Sequence, residues 1–256
     1  RWLIDTDNDG VADLRVVDPA AINGIPFAGD FDGNSANGDE VGIFDGKKWY
    51  LDTNHDYKVD VGSSFANGIK GWPIAGDFDG DGKDDLAGWT DDKFSIDLAN
   101  NGFGQIDATI HFGYIGVRER PIAADIDQDG IDDLGLFVPD RAGQNPGEAA
   151  EWYFLISADP TGSLRNTGAS FSGQARINML DHAFSPKPLG NDLYMMFGDE
   201  YALPIIGNFD PPVSADASAT TSNTSTNSSE GNTNTDSTGS TGSNPNPTNN
   251  VDTIAL

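Results

Sequence analysis

The sequence predicts an all-β fold built from repeated four-stranded antiparallel units, and three observations support this prediction. A short motif recurs at nearly constant spacing along the chain. Short apolar or alternating runs are separated by clusters of Asp, Gly and Asn, as is typical of strands joined by turns. No stretch shows a convincing helical periodicity, so no helix is expected.

The recurring motif is an apolar strand that leads into an acidic loop. Its copies begin at Ile25, Trp72 and Arg120, which are 47 and 48 residues apart, and a fourth, decayed copy begins at Leu203. They read IPFAGDFDG, WPIAGDFDG, RPIAADID and LPIIGNFD. The second half of the repeat also recurs, as RWLIDTDNDG, KWYLDTNHDY, KFSIDLANNG and EWYFLISADP. The period therefore covers a complete structural unit.

In the clearest unit we expect strands at about 73–78, 86–90, 93–98 and 106–112. Four short strands in a repeat of this length are typical of a propeller blade. A β-sandwich also has many short strands, but they need not recur with the same side chains at a fixed period. The sequence thus favours a β-propeller-like array of four-stranded antiparallel blades, with a repeat of about 47 residues, followed by a disordered tail.

The repeat divides the chain into units. Residues 213–250 contain no aromatic residue, Lys or Arg and are rich in Ser, Thr, Asn and Gly, which predicts a disordered linker. Because the chain begins in mid-repeat, we expect it to be a segment of a longer protein with adjacent modules. The predicted units are the second half of a blade at 1–25, blades at 26–72, 73–120 and 121–203 with an insertion near 172–200, the first strand of a further blade at 204–212, the linker at 213–250, and the start of another module at 251–256.

Charge and composition exclude several functions. Acidic residues number 41 against 14 Lys and Arg, a formal net charge of −27, which would repel a nucleic-acid backbone. Bound divalent cations would relieve the repulsion among so many carboxylates. Cysteine is absent, so neither disulfides nor thiolate metal sites contribute. No apolar stretch approaches the ~20 residues of a membrane span, so no membrane insertion is expected.

The acidic loop that begins at Asp77 has the composition of a calcium site. Carboxylates occupy its positions 1, 3, 5 and 9, glycine occupies position 6, and position 7 can offer its backbone carbonyl. Ca²⁺ takes six to eight oxygen ligands, and alternate positions of a tight turn bring such ligands together. The predicted ligands are Asp77, Asp79, Asp81, Lys83 and Asp85.

Two further loops repeat this pattern, with Ile131 and Val11 as the carbonyl donors. An EF-hand is rejected because position 12 holds Gly88, Leu136 or Val16 instead of Glu. Plain solvated turns remain the alternative, although a turn needs fewer aspartates. The predicted ligands are Asp125, Asp127, Asp129, Ile131 and Asp133 in one loop, and Asp5, Asp7, Asp9, Val11 and Asp13 in the other.

The remaining acidic loops match less well. The loop at Asp30 is widened by residues 35–38 before its acidic end, and its predicted ligands are Asp30, Asp32, Asn34 and Glu40. The loop at Asp52 has Tyr57 where glycine is wanted, which predicts strain and favours a polar turn. In the fourth copy, prolines follow Asp210, and no calcium is expected there.

These motifs resemble a known repeat family. Phe112-Gly113 and Pro121, followed by an acidic loop and Leu134-Gly135-Leu136-Phe137, are similar to the FG-GAP repeat of integrin-type propellers and the related VCBS repeats of large bacterial surface proteins. Phe197-Gly198 keeps the spacing before its proline, whereas Ala66 replaces the glycine after Phe65. The resemblance covers about residues 1–212. It implies calcium in the loop between the first two strands of a blade and a role in adhesion or ligand binding.

No enzymatic activity is expected. His55, His111 and His182 fall in different repeats and share no motif, and no hydrolase or phosphate-binding motif occurs. The leading hypothesis is a calcium-binding, non-catalytic segment of a secreted or cell-surface protein, with an extracellular protein or glycan as partner. A purely structural spacer is one alternative.

The other alternative is a carbohydrate-binding or polysaccharide-lyase-type propeller, which needs exposed aromatic rings to stack on sugars. Trp72 and Trp89 are the candidates for that role, since they lie outside the recurring aromatic position. The aromatic residues at the recurring position are expected to pack between blades. They are Trp2, Trp49, Phe94 and Trp152.

Overall fold

The structure is a computed structural model that describes residues 1–5, 9–60, 64–115, 118–140, 149–157, 173–199, 201–207 and 253–255. These residues form an almost all-β fold in which every strand pairing is antiparallel. Three sheets have four strands each, and two short sheets have two. The coarser prediction, an all-β fold of four-stranded antiparallel units, is confirmed.

The strands of each four-stranded sheet pair in chain order. The first sheet comprises β3 (Ile25–Gly29), β4 (Glu40–Phe44), β5 (Trp49–Leu51) and β6 (Ser64–Phe65). The second comprises β7 (Trp72–Gly76), β8 (Asp85–Thr90), β9 (Lys93–Asp97) and β10 (Ala108–His111). The third comprises β11 (Arg118–Ala124), β12 (Asp133–Asp140), β13 (Glu151–Leu155) and β14 (Leu193–Met196).

The two-stranded sheets lie at the ends of the chain. Strands β1 (Trp2–Ile4) and β2 (Leu14–Val16) pair antiparallel, as do the third and fourth strands of a full sheet. Strand β15 (Ile205–Gly207) pairs with β16 (Thr253–Ala255), which belongs to the segment expected to begin another module. The predicted linker at 213–250 lies outside the described residues.

The sheets pack face to face, with their first strands side by side. Strand β7 contacts both β3 and β11, and β11 contacts β15. One core cluster, which includes Trp49 and Leu86, joins the first and second sheets, and a larger one, which includes Phe94 and Leu136, joins the second and third. Trp49, Phe94 and Trp152 at the recurring aromatic position are fully buried, and Trp49 and Phe94 lie in the clusters that join two sheets, whereas Trp2 is half-buried.

The absence of helix was predicted wrongly at one place. Helix α1 (Gly173–Met179) lies between β13 and β14, and a single 3-10 turn covers Ala99–Asn101. The helix buries Ile177, and Leu180 just after it, in the core between the second and third sheets. One pair of apolar residues three positions apart is too short a pattern to reveal a helix in sequence, so tertiary burial decides its formation. The predicted insertion near 172–200 contains this helix but also β14, the fourth strand of the third sheet.

Within the described part of the chain, no helix combines the length and the apolar character that a membrane span requires.

Candidate metal centres

Three groups of carboxylates lie at equivalent places in the three four-stranded sheets. In each group, one oxygen from each of three residues lies within 4.8 Å of the others. Two ligands of one Ca²⁺ at ~2.4 Å can be at most about 4.8 Å apart, so each group fits around a single ion. The groups are Asp30, Asp32 and Glu40; Asp77, Asp79 and Asp85; and Asp125, Asp127 and Asp133.

The strand register explains why these carboxylates converge. Each loop leaves the first strand of its sheet and ends at an acid that begins the second strand. That acid pairs directly with the last loop-proximal residue of the first strand: Glu40 with Gly29, Asp85 with Gly76, and Asp133 with Ala124. Since paired residues are about 5 Å apart, the closing acid comes back to the start of the loop.

Backbone hydrogen bonds fix the shape of the second loop. Asp77 accepts from the N–H of Asp81 at 3.0 Å and from that of Gly82 at 2.8 Å, one bond on each carboxylate oxygen. Gly82 has φ of 89°, in the left-handed region that glycine adopts without steric cost. The third loop repeats the arrangement, since Asp125 accepts from Asp129 and Gly130 at 2.9 Å each.

The closing acids are buried and connect each loop to the rest of its sheet. Asp85 accepts from the N–H of Phe78 at 3.1 Å and from that of Ala99, in the loop after the third strand, at 2.8 Å. Asp133 accepts in the same way from Ile126 at 3.0 Å and Ser157 at 2.7 Å. Neither acid exposes surface to solvent. A buried carboxylate needs compensating charge, which a cation at this point would supply.

The raised pKa values of the loop carboxylates also indicate a need for compensating positive charge. Burial raises the pKa of Asp85 to about 9, and the charges of Asp79, Asp77 and Asp81 add to the rise against the lowering effect of the Ala99 hydrogen bond. Burial likewise raises the pKa of Asp133 to about 8 and that of Asp77 to about 6. Without a cation, these groups therefore hold protons at a pH where an ordinary aspartate is ionised.

The first loop closes with a longer acid. Glu40 is fully buried and accepts from the N–H groups of Phe31 and Asp32 at 2.9 and 3.2 Å. Its other oxygen lies 3.1 Å from Nδ1 of His55. The extra length of glutamate compensates for the wider loop, and the structure brings together three of its four predicted ligands.

Other predicted ligands stand outside these groups. Asp81 is exposed and accepts from the N–H of Lys83 at 2.9 Å, while Asp129 accepts from that of Ile131 at 3.0 Å and from the Ser157 hydroxyl at 3.0 Å. The other oxygen of Asp81 is the one that could complete a coordination sphere, whereas both oxygens of Asp129 accept hydrogen bonds. In the first loop, Asn34 is exposed and donates its N–H to Asp32 at 2.7 Å.

The loop at Asp5 lies in a different place from the other three. It joins β1 to β2, and therefore corresponds to the connection between third and fourth strands. Asp5 accepts from Asp9 and Gly10 at 3.3 and 2.7 Å, and Asp9 accepts from Val11 at 2.7 Å, so the local frame matches that of the second loop. Asp7 lies outside the described residues, and Asp13 is exposed.

The neighbours of the second loop distinguish it from the third. Asn100 donates a short side-chain hydrogen bond to Asp79. Helix α1 approaches the same carboxylate: a Cβ added at Gly173 would lie 2.2 Å from Asp79 Oδ2, and one added at Gly80 would lie 2.0 Å from Nη1 of Arg176. The Arg176 charge works against the rise in the pKa of Asp79 that burial causes.

In the second and third sheets, a second acid that the ligand pattern does not use links the sheet to the one before it. Asp84 donates its N–H to the carbonyl of Asp30 at 2.8 Å and accepts from the Asp30 N–H at 3.1 Å. Asp132 makes the same two bonds with Asp77, each at 2.9 Å. We call this pair of bonds the inter-sheet clasp. The sequence does carry a signal for it, since each repeat doubles its acid at the end of the loop where one ligand suffices.

Only one of the two tryptophans considered for sugar stacking has an exposed ring. Trp89 is only 7% exposed and donates its indole N–H to the carbonyl of Phe112, so it does not offer the exposed ring that sugar stacking needs. It faces the core between the second and third sheets instead. Trp72 is 38% exposed, but the Arg120 guanidinium lies 4.3 Å from its ring centroid.

The histidines have separate surroundings. His55 lies between Glu40 and the Tyr57 hydroxyl, His182 between the Met179 carbonyl and Asp192, and His111 is exposed on β10.

No known protein-family model matches the chain, and no curated protein matches it.

Proposed function

We propose that the chain is a calcium-binding, non-catalytic segment of a β-propeller of the FG-GAP or VCBS type, carried by a secreted or cell-surface protein that serves adhesion or binds a protein or glycan. The observation that carries the proposal is the recurrence of one carboxylate group at the same place in three successive sheets. Four-stranded sheets that pack face to face, with their first strands adjacent, support the propeller arrangement.

The choice of calcium follows from the ligand chemistry. The groups consist of carboxylates without thiolate or imidazole, a donor set that suits hard cations. Flexible loops of alternating oxygen ligands suit Ca²⁺ better than Mg²⁺, which demands a smaller octahedral site and keeps its waters.

In the second and third sheets, the loop residues join the first-strand loop to the loop after the third strand, and the inter-sheet clasp joins each of these loops to the loop of the preceding sheet. Asp85 and Asp133 bridge from the first-strand loop to the loop after the third strand, while Asp77 and Asp125 fix the turn. Bound calcium would neutralise the carboxylates that are buried there. Extracellular calcium modules bind with dissociation constants of about 10⁻⁴ to 10⁻³ M, so at millimolar calcium each site adds on the order of 1 kcal/mol.

Calorimetric titration of the 256-residue chain with calcium, together with thermal melts in calcium and in chelator, tests the proposal. We expect about three ions from the described groups and a melting temperature that falls clearly in chelator, because several kcal/mol of stabilisation is lost. Magnesium should restore the melting temperature poorly. Identical melts in excess calcium and in chelator would show that the acidic loops are only turns.

A further inference from the structure

We propose that Asp84 and Asp132 couple the calcium loops of successive sheets, so that occupation of one loop favours calcium binding in the next. This inference rests on the proposed function and assigns to these two residues a positioning role that no ligand pattern requires. Its basis is the inter-sheet clasp, in which each of them holds the backbone of a ligand in the preceding sheet.

The clasp joins ligands of different sites through adjacent residues. Asp84 is bonded to both backbone groups of Asp30, a ligand of the first loop, and its chain neighbour Asp85 is a ligand of the second loop. Calcium that fixes Asp85 would therefore also restrain the residue that holds Asp30. One backbone bond and one side-chain bond, which together close a ring, leave little freedom for one loop to move without the other.

The same connection occurs once more, between the second and third loops. Asp132 holds both backbone groups of Asp77, and its chain neighbour Asp133 belongs to the third group. The two instances have bond lengths that agree within 0.2 Å, at 2.8 and 3.1 Å in one and 2.9 and 2.9 Å in the other. Together they connect the three sites in series.

Glycines in the first strands accommodate the clasp. A Cβ added at Gly29 would lie 2.5 Å from Asp84 Oδ2, and one added at Gly76 would lie 2.7 Å from Asp132 Oδ2. Such distances are shorter than van der Waals contact, so any larger residue would displace the carboxylate. The residue of the third sheet that corresponds to Gly29 and Gly76 is Ala124, which pairs with Asp133. Alanine is thus compatible with a loop of this kind.

Coupling of this kind is reciprocal and has a measurable size. If calcium in one loop raises the calcium affinity of a connected loop by some factor, calcium in that second loop raises the affinity of the first by the same factor. A variant whose second site stays empty therefore loses this gain at the sites connected to it. Typical coupling between sites changes affinity by about 5-fold to 150-fold. We expect an effect near the lower end, since the connection is one pair of hydrogen bonds.

The test weakens the second site and measures calcium at the other two. Asp79→Asn removes a charged ligand of the second loop without touching the clasp. Calcium titrations followed by the amide resonances of Gly33 and Gly130, which lie in the first and third loops, give the affinity of each remaining site. We expect Asp79→Asn to weaken both sites by about fivefold or more.

Removing the side-chain bond of the clasp, which the Asp84 carboxylate accepts from the Asp30 N–H, should cancel this effect in one direction. In an Asp84→Ala background, Asp79→Asn should no longer change calcium binding at the first loop but should still weaken the third. Asp84→Asn keeps a side-chain oxygen that can accept from the Asp30 N–H, so it should retain the coupling. Gly29→Ala displaces the Asp84 carboxylate while every charge is kept, and it serves as a second uncoupling variant if Asp84→Ala does not fold. Because its Cβ would also lie 3.0 Å from the Phe31 ring in the first loop, the effect of Asp79→Asn is measured against the Gly29→Ala single variant.

The possible results separate the coupling from the calcium sites themselves. If the wild-type chain binds three calcium ions but the affinities of the first and third sites do not respond to Asp79→Asn, the coupling is overturned and the proposed function stays intact. A clasp that only stabilises the fold would lower the melting temperature of Asp84→Ala yet leave the Asp79→Asn effect at the first loop unchanged, which also overturns the proposal. Failure of the wild-type chain to bind calcium overturns both.

Discussion

Two acidic loops with the same spacing, one beginning at Asp77 and one at Asp52, form nearly the same backbone frame but different side-chain arrangements. Asp52 accepts from the N–H groups of Asp56 and Tyr57 at 3.3 and 2.7 Å, as Asp77 does from the residues four and five positions on. Asp60 accepts from the N–H of Thr53 at 2.7 Å and so closes the loop as Asp85 closes the other.

The two loops differ in the contacts of their side chains. In the loop at Asp52, the Asn54 amide donates to Asp60 at 2.6 Å, and Lys58 lies 2.9 Å from Asp56. In the loop at Asp77, the equivalent of Asn54 is Asp79, which joins a group of three carboxylates. The frame therefore depends on the aspartate at the first position and on the backbone, whereas convergence of charge depends on the acid two positions later.

The largest expected difference between the loops concerns their closing acids. Asp85→Asn should remove one bound calcium and lower the melting temperature in calcium, whereas Asp60→Asn should leave the calcium stoichiometry unchanged. In chelator the sign for Asp85→Asn should reverse, since the amide avoids the cost of protonating a buried carboxylate whose folded pKa is raised to about 9. Calorimetric titration and melts at pH 8 measure both effects, and each kcal/mol corresponds to about 2–4 °C. Loss of an ion in Asp60→Asn would show that the two loops are functionally alike.

The next effect is on the pH dependence of stability. The folded pKa values of Asp77, Asp133 and Asp85, about 6, 8 and 9, all lie above the ~3.9 of an unfolded aspartate. The folded state then binds more protons, so stability without calcium is full below about pH 4 and is lost as the pH rises through the folded values.

We therefore expect the melting temperature in chelator to fall from pH 5 to pH 9, and saturating calcium to flatten that fall. The double variant Asp85→Asn/Asp133→Asn should flatten it without calcium. A chelated wild-type protein that becomes more stable over this range would contradict the electrostatic account of the loops.

Much of the fold was predictable because it depends on local pattern. The expected strands at 73–78, 86–90 and 93–98 agree with β7, β8 and β9 within a residue or two, and Trp49 and Trp152 are buried as their recurrence indicates. The three carboxylate groups also follow from alternation within a loop. Period and spacing report such features directly, since each involves residues that are close in sequence.

Contacts between the repeated units could not be predicted from the sequence. The role of Asp84 depends on Asp30, 54 positions away in another sheet, and the burial of Trp89 depends on the third sheet packing over it. Helix α1 is stabilised by the same core. At Tyr57, by contrast, the sequence shows a residue that fits poorly at a position suited to glycine, yet the loop keeps its backbone frame. It does so because Tyr57 adopts φ of 61° and its hydroxyl lies 2.8 Å from Nε2 of His55.

The smallest expected effect concerns the sixth residue of each loop, which adopts the left-handed backbone conformation. It tests whether this conformation lowers the stability of the protein in both loops. Gly82 has φ of 89°, and a Cβ added there would meet nothing within 4 Å, so Gly82→Ala should destabilise the protein through backbone strain alone, by about 1–2 kcal/mol. Tyr57→Gly removes the corresponding strain but adds about 0.5–1 kcal/mol of backbone entropy cost and loses the contact with His55. Its net change should therefore stay within about 1 kcal/mol, as measured by denaturant unfolding in calcium. A loss from Tyr57→Gly as large as that from Gly82→Ala would mean that the tyrosine side chain, and not the backbone frame, holds the loop at Asp52 together.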